Sequence, residues 1–176
     1  MIDRVRLPLL AVIALIAALC PLFVHAQNAT SAPLTERTVL TLHWLNPLGE
    51  ATSLELKQAQ IDALPPHSIS LQLPQALGIE GFHSWHGVSV QDLLKLTDSN
   101  GQNLRIQALN GYYTVMPRSD IEHYNPVLAN YRDGNKLSIR DKGPFMLIYP
   151  FQQYNELNQQ LYMNRSVWQI NEIHIE

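Results

Sequence analysis

The segment from Arg140 to Pro150 limits the fold more than any other stretch of this chain. Three charged residues, Arg140, Asp141 and Lys142, are followed by the Gly143-Pro144 turn. Five consecutive apolar residues, Phe145 to Tyr149, then run to Pro150. A strand with one wet face alternates apolar and polar side chains. A short run with no polar member has no wet face, so it reads as a strand in the middle of a sheet with both faces covered. The charges before it then sit at the rim of that sheet. The chain must therefore supply further strands beside this one and layers above and below it.

Its first 26 residues do not read as part of that body. Arg4 and Arg6 form a basic start, Leu7 to Val24 is almost wholly apolar, and Val24-His25-Ala26 places small residues where a signal peptidase reads them. This pattern predicts a signal peptide over residues 1–26, cleavage before Gln27, and a periplasmic location; membrane contact is then expected only through this segment. Cys20 follows Leu19 where a lipoprotein needs a small residue, so lipidation is not expected. Residues 27–36 are polar and small and read as a flexible leader, which leaves 37–176 as one domain.

Of the 12 Lys and Arg and 15 Asp and Glu, Arg4, Arg6 and Asp3 fall in the signal, so the remainder carries a net charge near −4. Such a balance gives no basic patch for nucleic acid. Cys20 is the only cysteine. The exported domain thus has no disulfide, no thiolate ligand and no cysteine nucleophile, and its apolar core alone must hold it together.

The pattern predicts seven to nine short strands and a few short helices, an α+β domain. Strands are expected over Thr38–Leu45, Ser53–Leu56, Ser68–Leu73, Leu104–Ala108 and Tyr112–Met116, where apolar residues alternate. Lys57–Leu64 reads as a helix stopped by Pro65-Pro66. Ser89, with Asp92 three residues on, predicts a capped helix over Val90–Leu96, and Ser119 with Glu122 predicts a second capped turn. Gln75 to Trp85 has no period and reads as an ordered loop. Pro126–Tyr131 and Lys136–Arg140 flank the Asp133-Gly134 turn as hairpin arms, Gln152–Leu161 is weakly helical, and Ser166–Glu176 reads as a closing strand with a bulge near Glu172. In that closing strand the alternation assigns Trp168 to the core. Of Tyr112 and Tyr113, one should be core and the other exposed or lining a pocket, because successive strand residues face opposite ways.

Few residues point to chemistry by pattern alone. His83 and His86 would share a side of a helix, but Gly81 and Gly87 flank them and no cysteine or nearby carboxylate completes a set, so no metal site is assigned. Arg140 and Lys142 beside a glycine turn could bind an anion; the plainer reading is a solvated loop with local ion pairs. Arg165, just before the closing strand, reads as a ligand contact or a rim charge. Nucleophile-elbow and phosphate-loop patterns are missing.

Five segments in order carry a resemblance. Trp85-His86-Gly87-Val88 through Asp92-Leu93-Leu94 resembles the W-x-G-V-x-L-x-D-L-L segment of the sulfite-oxidase-type molybdopterin-binding domain. Asn110-Gly111-Tyr112 to Pro117 is similar to its D-G-Y segment, and Val127 to Tyr131 with Asp133-Gly134 to its L-L-A-Y and N-G. Arg140 to Pro150 matches in part its R-D-x-G-x-P-x-R-x-x-x-P, and Trp168 with Ile173 fits its closing K-W-x-x-x-I-x-V. The likeness covers Trp85 to Ile175 and is strongest to the short exported members that consist of little more than this domain. It implies a mixed β-sheet domain with a β-grasp-like portion.

Three departures bear on activity. The family's metal-holding cysteine has no counterpart, since the matching region, Ser68 to Leu73, offers only Ser68, Ser70 and Gln72. Met146 stands where an arginine is expected and Val167 where a lysine is expected. Tyr112 matches the family's active-site tyrosine. The resemblance therefore implies an exported binding module without molybdenum chemistry. Its ligand-binding cleft would be a remnant of the cofactor site lined by Tyr112, Arg140, Lys142, His83 and Arg165, and it would serve a small ligand or a membrane-sensor protein. The alternative is an oxidoreductase holding molybdopterin without a cysteine ligand, its pterin phosphate resting on Arg140, Lys142 or Arg165.

Overall fold

A computed structural model describes residues 36–176. The expected signal peptide, Cys20 and nearly all of the leader lie outside the described residues. Among the described residues, no helix is long and apolar enough to cross a membrane.

Among the described residues, ten strands form two sheets. The first contains β1 (Thr38–Leu45), β2 (Ala51–Lys57), β5 (Asn103–Ala108), β6 (Tyr113–Pro117) and β10 (Ile170–Ile175), in the order β2-β1-β10-β5-β6. β1 and β10 run parallel at its centre, with His43 level with His174, and the outer pairs are antiparallel. The second sheet has the order β3-β4-β7-β8, from β3 (Pro66–Gln72), β4 (Phe82–Ser89), β7 (Val127–Arg132) and β8 (Asn135–Lys136), with β9 (Met146–Ile148) also paired to β7. Four short helices lie between strands: α1 (Gln58–Asp62), α2 (Val90–Leu94), α3 (Arg118–Tyr124) and α4 (Gln160–Arg165).

Alternation decides which side of the first sheet is dry. Leu40 and Leu42 of β1, Leu104 and Ile106 of β5 and Ile173 and Ile175 of β10 are buried on one face, and His43, Arg105, Glu172 and His174 stand on the other. From the second sheet, Leu71, Trp85, Val88 and Leu128 join the same continuous core. Each fully buried aliphatic side chain of this kind contributes about 1.5–3 kcal/mol. At Gly87 the two central strands of this sheet approach so closely that an added Cβ would lie 2.0 Å from the Leu128 carbonyl oxygen. This contact gives a physical reason for a glycine after Trp85 and His86.

Phe145 to Tyr149 is buried throughout, as expected, but not as a central strand. β9 has three residues and pairs with β7 on one side only. Its other side is closed by the Val167–Trp168 segment, through a Met146–Trp168 bridge and the Leu147 N–H donating to the Val167 carbonyl.

Several other expectations are corrected. Gln75–Trp85 is not a loop throughout: a turn of 3-10 helix over Gln75–Leu77 leads into β4 from Phe82. This strand pairs on both edges, so it forms despite its polar residues. The second arm of the Asp133-Gly134 hairpin is only Asn135–Lys136, and Ile139–Asp141 is a 3-10 turn capped by Ser138. Ser89 does cap α2, its hydroxyl accepting the Asp92 N–H at 3.0 Å. Ser119 caps nothing, because Pro117 precedes α3 and the helix has already begun. The closing strand starts at Ile170, and its bulge falls between Ile170 and Glu172. Trp168 is not core. Gln169 has a left-handed φ of 58°, which breaks the alternation, and Val167 is buried in its place. Neither Tyr112 nor Tyr113 is buried, because Tyr112 lies in the turn before β6 and Tyr113 is on the wet face, under the Arg105 guanidinium.

Candidate functional site

The 3-10 turn over Ile139–Asp141 ends at Lys142, whose φ of 69° is left-handed. Its backbone is pinned there by the Gln169 N–H, which donates to the Lys142 carbonyl at 3.0 Å. The two left-handed residues, Lys142 and Gln169, thus face each other across a hydrogen bond. This geometry lays the Lys142 ammonium over the exposed Trp168 ring, 3.7 Å from its centroid.

Lys142 is also one wall of a cleft of about 370 Å³ that it shares with Arg140, Arg132, His83, Asp141 and Glu80. Among the described residues, none of the three cations forms an ion pair. Asp141 is occupied locally, its carboxylate accepting the Ser138 hydroxyl at 2.8 Å. Burial, and next the nearby Arg132 guanidinium, hold the Lys142 ammonium below its ordinary pKa. Arg132 itself is steadied by the Trp85 ring, 5.8 Å away.

His83 reaches this cleft but does not offer a free nitrogen. Its Nδ1 is 2.6 Å from an Asp133 carboxylate oxygen, and its Nε2 is 2.8 Å from the Glu80 carbonyl. The Ser84 backbone N–H, first, and His83 hold the Asp133 carboxyl below its ordinary value. His86 faces the other way, with Nδ1 2.8 Å from the Ser68 hydroxyl.

A second cavity of about 350 Å³ has Trp168 in its wall. Tyr112, Asn164, Met163, Leu77 and Ala108 line it with Trp168 itself. The Tyr112 hydroxyl donates to the Asn164 carbonyl at 3.4 Å. The cation on Trp168 therefore joins a charged cleft to a more apolar one.

The structure thus brings His83, Arg140 and Lys142 together and places Tyr112 in the adjoining cavity. Arg165 lines neither. It lies in a partly buried ion pair, Nη1 to the Asp120 Oδ2 at 2.7 Å, and its guanidinium sits over Tyr162. It is neither a rim charge nor a neighbour of Arg140. Arg132 was not legible as a site residue: it ends a strand before a turn, and only the tertiary fold puts it beside Lys142.

Residues 36–176 fit a molybdenum centre poorly. They contain no sulfur donor of the thiolate kind. Ser68 and Ser70 are exposed on the edge strand β3, where their hydroxyls contact His86 and Ser84. The positions where cations were expected hold Met146 and Val167, both in the core, and an arginine or lysine there would be buried among apolar groups.

No family model matches the chain, and no curated protein matches it. Among solved structures it is similar to the sulfane dehydrogenase SoxCD from Paracoccus pantotrophus, with 14% identity and a TM-score of 0.55 over 77% of this chain and 38% of that one. The chain therefore spans well under half the length of the protein it matches. At this identity the likeness is one of fold, and it establishes a distant fold relationship in line with the α+β, sulfite-oxidase-type architecture expected from the five segments.

Proposed function

We propose that this chain is an exported binding module built on the molybdopterin-oxidoreductase fold, without molybdenum chemistry, that takes a small anion in the Arg132–Arg140–Lys142 cleft. The order β2-β1-β10-β5-β6 with its central parallel pair supports the β-grasp-like portion of that fold. The observation that carries the binding reading is the convergence of three cations without an ion-pair partner among the described residues. Like charges brought together repel one another, and an incoming carboxylate or phosphate relieves that cost while accepting charge-assisted hydrogen bonds. The Trp168–Tyr112 cavity next to it would hold an apolar portion of the same ligand. Docking onto a membrane-sensor protein is a use consistent with export.

Calorimetric titration with inorganic phosphate and with citrate tests the cleft. The protein should bind at least one of them, and the Arg140→Gln/Lys142→Gln double variant should bind it tenfold or more weakly, as expected for losing hydrogen bonds to charged groups worth about 1.5–3 kcal/mol each. Equal affinity in the variant, or no binding of either anion by the native protein, would overturn the anion reading. Native mass spectrometry of protein recovered from its own host addresses the alternative: a stoichiometric molybdopterin mass would establish the cofactor-bearing oxidoreductase instead. The same spectrum should show a chain beginning at Gln27 if the signal is cleaved.

A further inference from the structure

On the wet face of the first sheet, His43 of β1 lies beside Glu172 and His174 of β10. The parallel pairing of β1 with β10 sets His43 level with His174 and Thr41 level with Glu172. The His43 and His174 rings stack, centroids 4.5 Å apart and planes 12° from parallel. The His174 Nε2 is 3.2 Å and the His43 Nε2 3.7 Å from the same oxygen, Glu172 Oε2. The other oxygen, Oε1, accepts the Asn171 side-chain amide at 3.3 Å, which fixes the carboxylate's orientation. Among the described residues this is the one group of three such side chains whose ligand atoms all lie within 4.8 Å of one another.

We infer that His43, His174 and Glu172 form a binding site for a divalent transition-metal ion of the zinc class. Two imidazole nitrogens and one carboxylate oxygen are a donor set suited to Zn²⁺ and to the neighbouring Co²⁺, Ni²⁺ and Cu²⁺, and poorly suited to Mg²⁺ or Ca²⁺. Three protein ligands leave one position for water or an exogenous ligand. Asn171 plays the part of an outer partner that orients the ligating carboxylate. A metal lies in the plane of each imidazole it binds, so two stacked rings cannot both reach it as they stand. One ring must turn about its χ2, and both histidines are partly solvent-exposed, which leaves room for that turn. Across β10 the neighbouring cation is Arg105, level with His174, and it is engaged by Glu176 at 3.4 Å, by Gln107 and by the Tyr113 ring. On the other side His43 is level with Ser53, and the nearest row carries Glu55, whose carboxylate accepts the Thr38 hydroxyl. The site is distinct from the cation cleft and independent of the function proposed for it.

Titrating metal-free protein with Zn²⁺ by calorimetry, and with Co²⁺ followed by its visible absorption, tests the assignment. One equivalent should bind with micromolar affinity or better, with a Co²⁺ spectrum of four-coordinate character. His43→Ala and His174→Ala should each lower Zn²⁺ affinity by more than the roughly 10–100-fold that loss of an outer partner alone costs. Glu172→Gln, which keeps the side chain's size, should weaken it with the fold intact by circular dichroism, so the result does not hang on either alanine variant folding. His67→Ala, remote from the cluster, should leave it unchanged. Absence of stoichiometric binding, or binding that survives all three ligand substitutions at another histidine, would overturn the site.

Discussion

Removing one hydroxyl from the core tests how this fold handles a buried charge. Asp120 of α3 is almost fully buried, and its Oδ2 takes two hydrogen bonds, from the Tyr149 hydroxyl at 2.7 Å and from Arg165 Nη1 at 2.7 Å. The three residues join α3, the end of the β9 segment and α4. Tyr149→Phe keeps the ring, which packs near Tyr124, Phe151 and Tyr162, and deletes only the donor. A hydrogen bond to a charged acceptor is worth about 1.5–3 kcal/mol, and that is the expected loss. Arg165→Met leaves the carboxylate buried with one partner. Breaking a buried pair costs about 3–5 kcal/mol, and the arginine's side chain, 16% exposed, places the effect at the lower end.

The decisive variant replaces all three, Asp120→Leu/Tyr149→Phe/Arg165→Met. Losing the whole network together removes the desolvation cost along with the attraction, so the triple variant should lie within about 1 kcal/mol of the native protein, far from the sum of the singles. Urea unfolding with a constant m-value reads each difference. If Tyr149→Phe costs less than about 0.5 kcal/mol, or if the triple variant equals the summed singles, the network does not work as argued.

Three further perturbations follow from local structure. Gly87→Ala drives a Cβ to 2.0 Å from the Leu128 carbonyl oxygen and 2.8 Å from the Ala129 Cα, both backbone, so β4 and β7 must part at a cost of about 2–3 kcal/mol or more. Gly49→Ala has nothing within 4 Å and meets only its φ of 79°, roughly 1 kcal/mol, and unfolding midpoints that rank the two the other way would defeat the packing argument. Asp133, whose carboxyl is held below its ordinary value chiefly by the Ser84 N–H, contributes stability that is fully present above the unfolded carboxylate pKa of about 3.9 and is lost as pH falls through the lower folded value. The gap in urea midpoint between native protein and Asp133→Asn should therefore shrink as pH falls below about pH 4; a gap at about pH 3 equal to that at about pH 5 would contradict the assignment.

Much of the first sheet was legible because its strands obey the period of two. Leu40 and Leu42, Leu104 and Ile106, and Ile173 and Ile175 each announce a dry face. The Ser89–Asp92 cap was legible for the same reason: the interaction is local. β4 was not, because His83, Ser84 and His86 carry no apolar alternation and the strand exists through pairing on both edges. Strand order is a tertiary fact, so the stacking of His43 on His174 had no sequence signal beyond polar positions within two alternating strands. Arg165 illustrates the same limit. Its choice of Asp120, 45 residues away, over a place beside Arg140 depends on where α3 and α4 settle.

The segment that resembles a cofactor wall has divided into two parts of opposite character. Met146 and Val167, standing where cations were expected, follow every local rule: apolar, buried, and bonded into the β9 ladder. Lys142, Trp168 and Gln169 break several at once. A lysine at a φ of 69° carries about 1–2 kcal/mol of backbone strain. A tryptophan that alternation would bury stands 39% exposed, and the attraction of the ammonium for its ring, roughly 0.5–1 kcal/mol at such a site, does not offset that strain. Arg132 and Arg140 add charge to the same cleft without an ion-pair partner among the described residues. A fold optimised only for stability would put glycine at 142 and bury the indole. Local rules fail together at and beside this cleft, while the neighbouring strand keeps all of them, and the anion proposed above would supply the stabilisation they leave out.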